Sequence, residues 1–506
     1  MKSLQKLHHL IHSLSKTEKR YVYIEISKQK SRKGKIDLQL FDLLKKQEEL
    51  REEVVLAHPE FSNSAKIIIR CNYLFDFILR CLINYNYSRE HEIAIGNHIR
   101  IIKNFILKGL HNYTQIHFKK AQKMAERYED LYRLGILCTL RKIIVNRNSA
   151  THAEFFLEIQ KIEQQENAVH EKIINLNIYN KYLNQMNVVL KKNSGSSLDA
   201  SSLKILNKIA NSDFLANEKN ALTKKARIVF HEINAIYQER VKHNFSQALK
   251  YTEKQMELIR DMDSYQKIIS PSYINCIKRY CILSSETGQF SNASEVLQQL
   301  KKLYLDRSVS QNAFEKSLIF LNYIEAETRL TMLDHEVERL NDMQIEISEG
   351  LELFEKMFDS EARMVLYYNL ALRALLINNY KAAFRWIERI SQEFHGMRID
   401  ILLNAHILSL ICIFENESVN LFQSRERSYM RHYQQEKKKY AAYIKITHII
   451  SHIFGHKNNS DFISKTFATL ESFVKAEVKA YNVDRLLGEA LLDWMKKKRN
   501  YKPMPN

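Results

Sequence analysis

The chain has 506 residues, 45% of them hydrophobic, with 10 Gly, 4 Pro and a formal net charge of +19. That much apolar surface excludes a chain disordered throughout, and the length admits two or three ordinary domains or one long solenoid. So few Gly and Pro exclude β-rich and most α/β architectures, which need them in turns and strand connections, and leave an all-α chain with short connections.

In chain order, a first helix is expected over Leu4–Ser13. Ser15 followed by Glu18 forms a capping box, so a second should begin near Lys16. Lys28–Lys35 reads KQKSRKGK, a polar, basic connection with Gly34 as its breaker. A third helix is expected over Asp37–Gln47 and a fourth over Arg51–His58, stopped by Pro59. Ser62 or Ser64 then caps a long helix whose Ile67, Cys71, Leu74, Ile78 and Cys81 recur at three- and four-residue spacing, one apolar stripe. These elements make a small helical module over residues 1–90. Residues 91–455 read as helix after helix, and residues 456–506 as terminal capping helices and a tail.

Within 91–455 one pair of helices carries a recognisable pattern: Tyr367, Leu370, Ala371 and Ala374, then Tyr380, Ala383 and Ile387. Gly288, Phe290, Ala293, Leu297 and Leu300 repeat its turn and second half, as do Phe245 and Ala248. Gly109, Phe118 and Ala121 form a degenerate copy in which Thr114 replaces the small residue. This resembles the tetratricopeptide repeat, where small residues let paired helices approach and large ones fill the hollow beside them. The resemblance implies a right-handed α-solenoid of helical hairpins whose concave surface binds a peptide or a partner helix. Phe245 and Phe290 stand about 45 residues apart, against roughly 34 in the standard repeat, so longer helices are expected. A poorly matching unit falls near Leu333–Leu340. The polar segment Lys191–Ser202 reads as a loop, QQEKKK at 434–439 as a solvated helix face, and the tail from Lys496 as frayed.

The six cysteines, Cys71, Cys81, Cys138, Cys276, Cys281 and Cys412, form no CxxC pair and read as reduced, buried thiols. His8, His9 and His12 break the apolar start, which therefore does not read as a secretory leader. The most apolar window, Ile401–Phe414, contains Asn404 and His406 and falls short of the roughly 20 residues of a membrane span. The expectation is a cytoplasmic protein that does not insert into a membrane.

No P-loop, GxGxxG or GxSxG occurs, and none of the His-Glu pairs has the second His of a zinc-protease helix. No enzyme chemistry and no cofactor are therefore expected. His8 with His12 and His448 with His452 stand one helical turn apart, a spacing able to share a metal, but no carboxylate or Cys is in register to complete either set. Arg147 to His152, and Arg427 to His432, resemble the Arg-polar-x3-His motif of helical HEPN-type ribonucleases. That resemblance implies proton transfer by the His and charge stabilisation by the Arg; the plain alternative is a solvent-facing turn.

The net charge reads in two ways. Clustered cations neutralise phosphates, yet Ile, Lys and Asn are all abundant, the mark of compositional drift. The best nucleic-acid candidate is the cluster Lys28, Lys30, Arg32, Lys33 and Lys35, with Tyr21 and Tyr23 nearby. The helices after it would form a helix-turn-helix-like arrangement, although Glu52 and Glu53 would repel phosphate. The same module equally reads as the cap that closes the first repeat. The expected function is an interaction scaffold or regulatory adaptor for a protein or peptide partner. A nucleic-acid-binding regulator, its basic module governed by sensory repeats, is the first alternative, and a helical ribonuclease the second.

Overall fold

The computed structural model describes residues 2–29, 32–47, 49–61, 64–85, 91–148, 151–192, 198–262, 271–305, 313–338, 340, 344–394, 397–416, 419–434, 440–456, 460–480 and 483–499. Among them every regular element is helical, and no strand occurs. Among the described residues no helix is long and apolar enough to cross a membrane. The chain divides into two compact units, Met1–Ile174 with Gln311–Ala313, and Asn175–Ser310 with Phe314–Asn506.

The first unit opens with α1 (Lys2–Ser13), α2 (Lys16–Ser27), α3 (Arg32–Lys45), α4 (Glu52–Leu56) and α5 (Ser64–Tyr85). The Ser15–Glu18 capping box forms in both directions: the Glu18 amide donates to Ser15 Oγ at 3.3 Å, and the Ser15 amide to Glu18 Oε2 at 2.8 Å. Leu4, Leu7, Ile11, Phe41, Leu44, Ile67, Cys71, Leu74 and Ile78 close into one buried core. The stripe read on α5 is thus its inward face, and each large side chain taken from water contributes about 1.5–3 kcal/mol.

Gly34 departs from expectation. It lies inside α3 and breaks nothing; a Cβ there would run into the Gln29 carbonyl oxygen. Its lack of a side chain serves close approach rather than chain reversal. The fourth helix is also shorter than the sequence suggests, ending at Leu56. A second core joins Ile95, Ile99, Ile102 and Ile106 of α6 (His91–Leu107), Phe118, Ala121 and Ala125 of α7 (Thr114–Arg127), and Leu137 and Leu140 of α8 (Leu131–Asn148). Then α9 (His152–Lys192) gives its first part to this unit and its remainder to the second.

The second unit continues with α10 (Ala200–Ala210), α11 (Asp213–Ala216), α12 (Lys224–Arg240), α13 (Phe245–Arg260), α14 (Pro271–Glu286), α15 (Phe290–Leu305), α16 (Ala313–Asp334), α17 (Gln344–Phe354), α18 (Ser360–Leu376), α19 (Tyr380–Glu393), α20 (Ile399–Glu415), α21 (Val419–Gln434), α22 (Ala441–Gly455), α23 (Ser460–Lys479) and α24 (Arg485–Arg499). Helices α12 and α13, α14 and α15, and α18 and α19 pack as pairs. Their connections share one construction. His243, Gly288 and Asn378 each adopt the left-handed conformation, with φ of 52°, 76° and 61°, two residues before the next helix. In the second and third pairs the following amide reaches back to close the turn, Gln289 to Ser284 O and Asn379 to Ala374 O, both at 2.8 Å. Asn244 and Asn379 then cap the new helix by accepting from the amides of Gln247 and Ala382 at 3.0 and 3.1 Å. Phe245, Phe290 and Tyr380 are the first residues of these second helices and are half-buried. Three residues on, Ala248, Ala293 and Ala383 are fully buried, as is Ala371 on α18, while Leu370 is 6% exposed.

None of the six cysteines is in a disulfide. Burial alone pushes the Cys71 thiol up to about 12.

Candidate functional site

The chemistry of the second unit concentrates on one polar strip. Charged residues there recur at turn spacing on helices that otherwise bury apolar side chains: Glu232 and Glu239 on α12, Lys278, Arg279 and Glu286 on α14, and Glu325 and Arg329 on α16. Spacings of four and seven put such residues on one face of each helix, and the faces meet. Arg279 bridges to α12 with its guanidinium 3.9 Å from Glu232 Oε1 and 3.9 Å from Glu239 Oε2. Lys278 Nζ donates to Glu325 Oε2 at 2.9 Å. The Arg329 guanidinium holds Glu286 Oε1 through Nε at 2.9 Å and Nη2 at 2.8 Å. Arg485 of α24 closes on the other oxygen of the Glu286 carboxylate, whose side chain is 1% exposed.

The strip continues toward the C-terminus. Arg398 donates to both carboxylate oxygens of Asp400, at 3.0 and 2.6 Å, and lies 3.5 Å from Glu361. Tyr443 of α22 donates to Asn404 Oδ1 of α20 at 2.9 Å. Beneath the strip, a different face of α16 carries Glu327, which accepts from Tyr323 and from Arg373 of α18. Arg373 also donates to Leu340 O at 3.3 Å.

The electrostatics follow from burial and pairing together. At Glu325 burial favours the neutral acid, but Lys278, then Arg329 and Arg398, outweigh it and hold the carboxyl below its ordinary value. At Arg329 burial likewise opposes the charge, and Glu286 and Asp484 reverse the balance. Burial pushes the Tyr368 hydroxyl well above its ordinary range, with Asp484 adding to the effect. The strip therefore carries both signs side by side and is nearly neutralised from within, in a chain whose formal charge is +19. Arg279 differs from the other cations of the strip in that its two carboxylate partners, at 3.9 Å, lie beyond hydrogen-bonding distance. A ligand carboxylate or peptide carbonyl would find donors there.

The residues singled out in the sequence fall elsewhere. Lys28 caps the end of α2 and donates to Glu25 Oε1 at 2.6 Å, which raises its affinity for its proton. Lys33 and Lys35 are exposed on the opening turns of α3. Lys30 and the side chain of Arg32 lie outside the described residues. Tyr21 packs against Tyr85, ring centroids 5.1 Å apart, while Tyr23 is 39% exposed. Positions 193–197 of the polar segment, positions 435–439 of the QQEKKK run and the tail from position 500 are also outside.

His8 and His12 do converge, but on a helix end: their Nε2 atoms bond Gln47 O at 2.8 Å and Leu44 O at 3.0 Å, satisfying carbonyls at the close of α3. No cluster of three or more His, Cys, Asp or Glu able to hold a metal occurs among the described residues. Arg147 at the end of α8 and His152 at the start of α9 are both exposed, with no bond between them. Arg427 donates back to Gln423 O at 3.2 Å, and the side chain of His432 is outside the described residues.

Sequence reading missed the strip. Its signal was present in α16, where Glu325, Glu327 and Arg329 interrupt the apolar run from Leu318 to Met332. Charges embedded in such a run need partners, because an unpaired buried charge is not tolerated.

No family model, curated protein or solved structure matches the chain.

Proposed function

We propose that this chain is an interaction scaffold of the cytoplasm, and that its second unit is a tetratricopeptide-like stack of helical hairpins that binds a peptide or partner helix along the polar strip. One observation carries the reading. Helices α12, α14 and α16 send ion-paired side chains of both signs to a common strip, where Arg279 stands 3.9 Å from each of two carboxylate partners. A surface of mixed sign suits a polypeptide, whose backbone and side chains offer donors and acceptors of both kinds. A phosphate backbone would favour a single positive sign.

The test is capture from native cells with the full chain, before and after nuclease, alongside Arg279→Gln. Discrete proteins that survive nuclease and are lost with Arg279→Gln support the scaffold. Recovery dominated by nucleic acid, unaffected by Arg279→Gln, moves the function to the basic turn of α3. That second reading draws on one observation: α3 opens with Lys33 and Lys35 and has no acidic residue in its first turn, against the preference of a helix N-terminus.

A further inference from the structure

Helices α22 and α23 bury one face each in the core of the second unit, through Ile446, Ile450 and Ile453 on the first and Phe467, Leu470 and Val474 on the second. Between their outer faces lies a trough of about 580 Å³, within the roughly 300–1,000 Å³ of small-molecule sites. Small side chains open it: Ala441, Thr466 and Thr469 stand where longer ones would fill the space. Its floor is half-buried Ile444, Ile449 and Phe462. Its rim is cationic or basic throughout, with Lys445, His448 and His452 from α22 and Lys465 from α23, and no carboxylate lines it among the described residues.

Two of the rim groups, Lys445 and His452, are held by ring contacts, and among the described residues no rim group is paired with a carboxylate. Lys445 Nζ sits 4.2 Å over the Phe473 ring, a contact that orients an ammonium and leaves its charge uncompensated. The His452 ring lies parallel to His456 at 5.8 Å, and His456 packs on Phe462 at 4.3 Å. The Thr466 and Thr469 hydroxyls donate to Phe462 O at 2.8 Å and Lys465 O at 3.2 Å, so the outward donors are the two ammonium groups and the imidazoles. The polar strip neutralises its cations with carboxylates; this trough does not.

We propose that the trough binds a small amphipathic monocarboxylate, its apolar body on Ile444, Ile449 and Phe462 and its carboxylate held by the cationic rim. The complementary charge is what the trough lacks, and the apolar floor is what an inorganic anion would leave exposed. The site owes nothing to Arg279 or the strip, so either reading can fail alone.

The experiment is calorimetric titration of the full chain with octanoate, 1-octanol and octylammonium. Octanoate is expected to bind saturably, one per chain, and at least ten-fold more tightly than the other two. The double variant Lys445→Gln, Lys465→Gln is expected to lose at least ten-fold in octanoate affinity. Thr466→Trp, which fills the trough, should abolish binding, with the helical circular dichroism of both variants unchanged. If a variant misfolds, Lys445→Arg with Lys465→Arg retains the charge and is expected to retain binding. Absence of saturable binding overturns the proposal. So does equal affinity for octanol or octylammonium, or octanoate binding that the double variant leaves intact.

Discussion

The N-terminal helices and the hairpins of the second unit solve the same packing problem with different materials. Around α1 to α5 the core is apolar, and among the described residues buried Asp37 pairs with part-exposed Arg70 at 3.2 Å. Around α14, α16 and α18 the apolar clusters are joined by carboxylates shared between helices, Glu286 between Arg329 and Arg485, and Glu327 between Tyr323 and Arg373. Apolar packing is non-directional and tolerates small shifts. A buried carboxylate with two donors on different helices fixes which helix lies beside which, because the alternative leaves charge unpaired at several kcal/mol. Register in the N-terminal module rests mainly on side-chain volume, whereas among α14, α16, α18 and α24 shared carboxylates add to it.

The largest expected effect breaks that ion pairing. Glu327→Ala leaves Arg373, 5% exposed, without its carboxylate and is expected to destabilise the second unit by about 3–5 kcal/mol in urea unfolding. Substituting both partners, Glu327→Leu with Arg373→Met, should recover part of that loss: no charge is left unpaired, while the Tyr323 hydroxyl and the Leu340 carbonyl each lose a partner. The counterpart in the N-terminal module is Phe41→Ala, a fully buried ring expected to cost about 3–4 kcal/mol and not to be rescued by any charge change. An intermediate effect belongs to Ser15→Ala, which removes one side of the capping box and should cost about 1 kcal/mol.

The smallest effects separate the regions by sign. Asp37, 2% exposed, is pushed above its ordinary 3.8 by burial, which outweighs the nearby Arg70. The folded chain therefore holds that proton more tightly than the unfolded one, and Asp37 favours folding more as pH falls through its raised value. Glu325 is held below its ordinary 4.5, so its contribution is complete above that value and is lost as pH falls through the lower folded one. Acid denaturation of Asp37→Asn and Glu325→Gln, each against the parent chain, should show stability differences that move in opposite directions as pH falls. Differences moving in the same direction would contradict the comparison.

Much of the helical layout was legible. The capping box placed the start of α2, and the stripe from Ile67 to Cys81 identified the inward face of α5, because both signals are local. Phe245, Phe290 and Tyr380 marked helix starts for a similar reason: each follows by two a residue the backbone needs in the left-handed conformation, and Gly288 advertises it. His243 and Asn378 do the same work with less conspicuous chemistry. Gly34 misled because close approach and chain reversal both call for glycine, and only the position of Gln29 distinguishes them. The strip was illegible because Glu286 and Arg485 are far apart in sequence and each, on its own helix, reads as a surface charge. His448 and His452 drew attention as a metal pair; the significance of their spacing lies in the trough they share with Lys445 and Lys465, whose second helix the sequence did not place beside them.

The scaffold reading is tested most directly by photo-crosslinking in native cells. A benzophenone amino acid in place of Glu239, on the strip, is compared with one in place of Lys250, exposed on α13. A scaffold that binds along the strip gives a discrete protein adduct from position 239, resistant to nuclease and absent from position 250. Adducts from both positions alike, or nuclease-sensitive adducts alone, would contradict it.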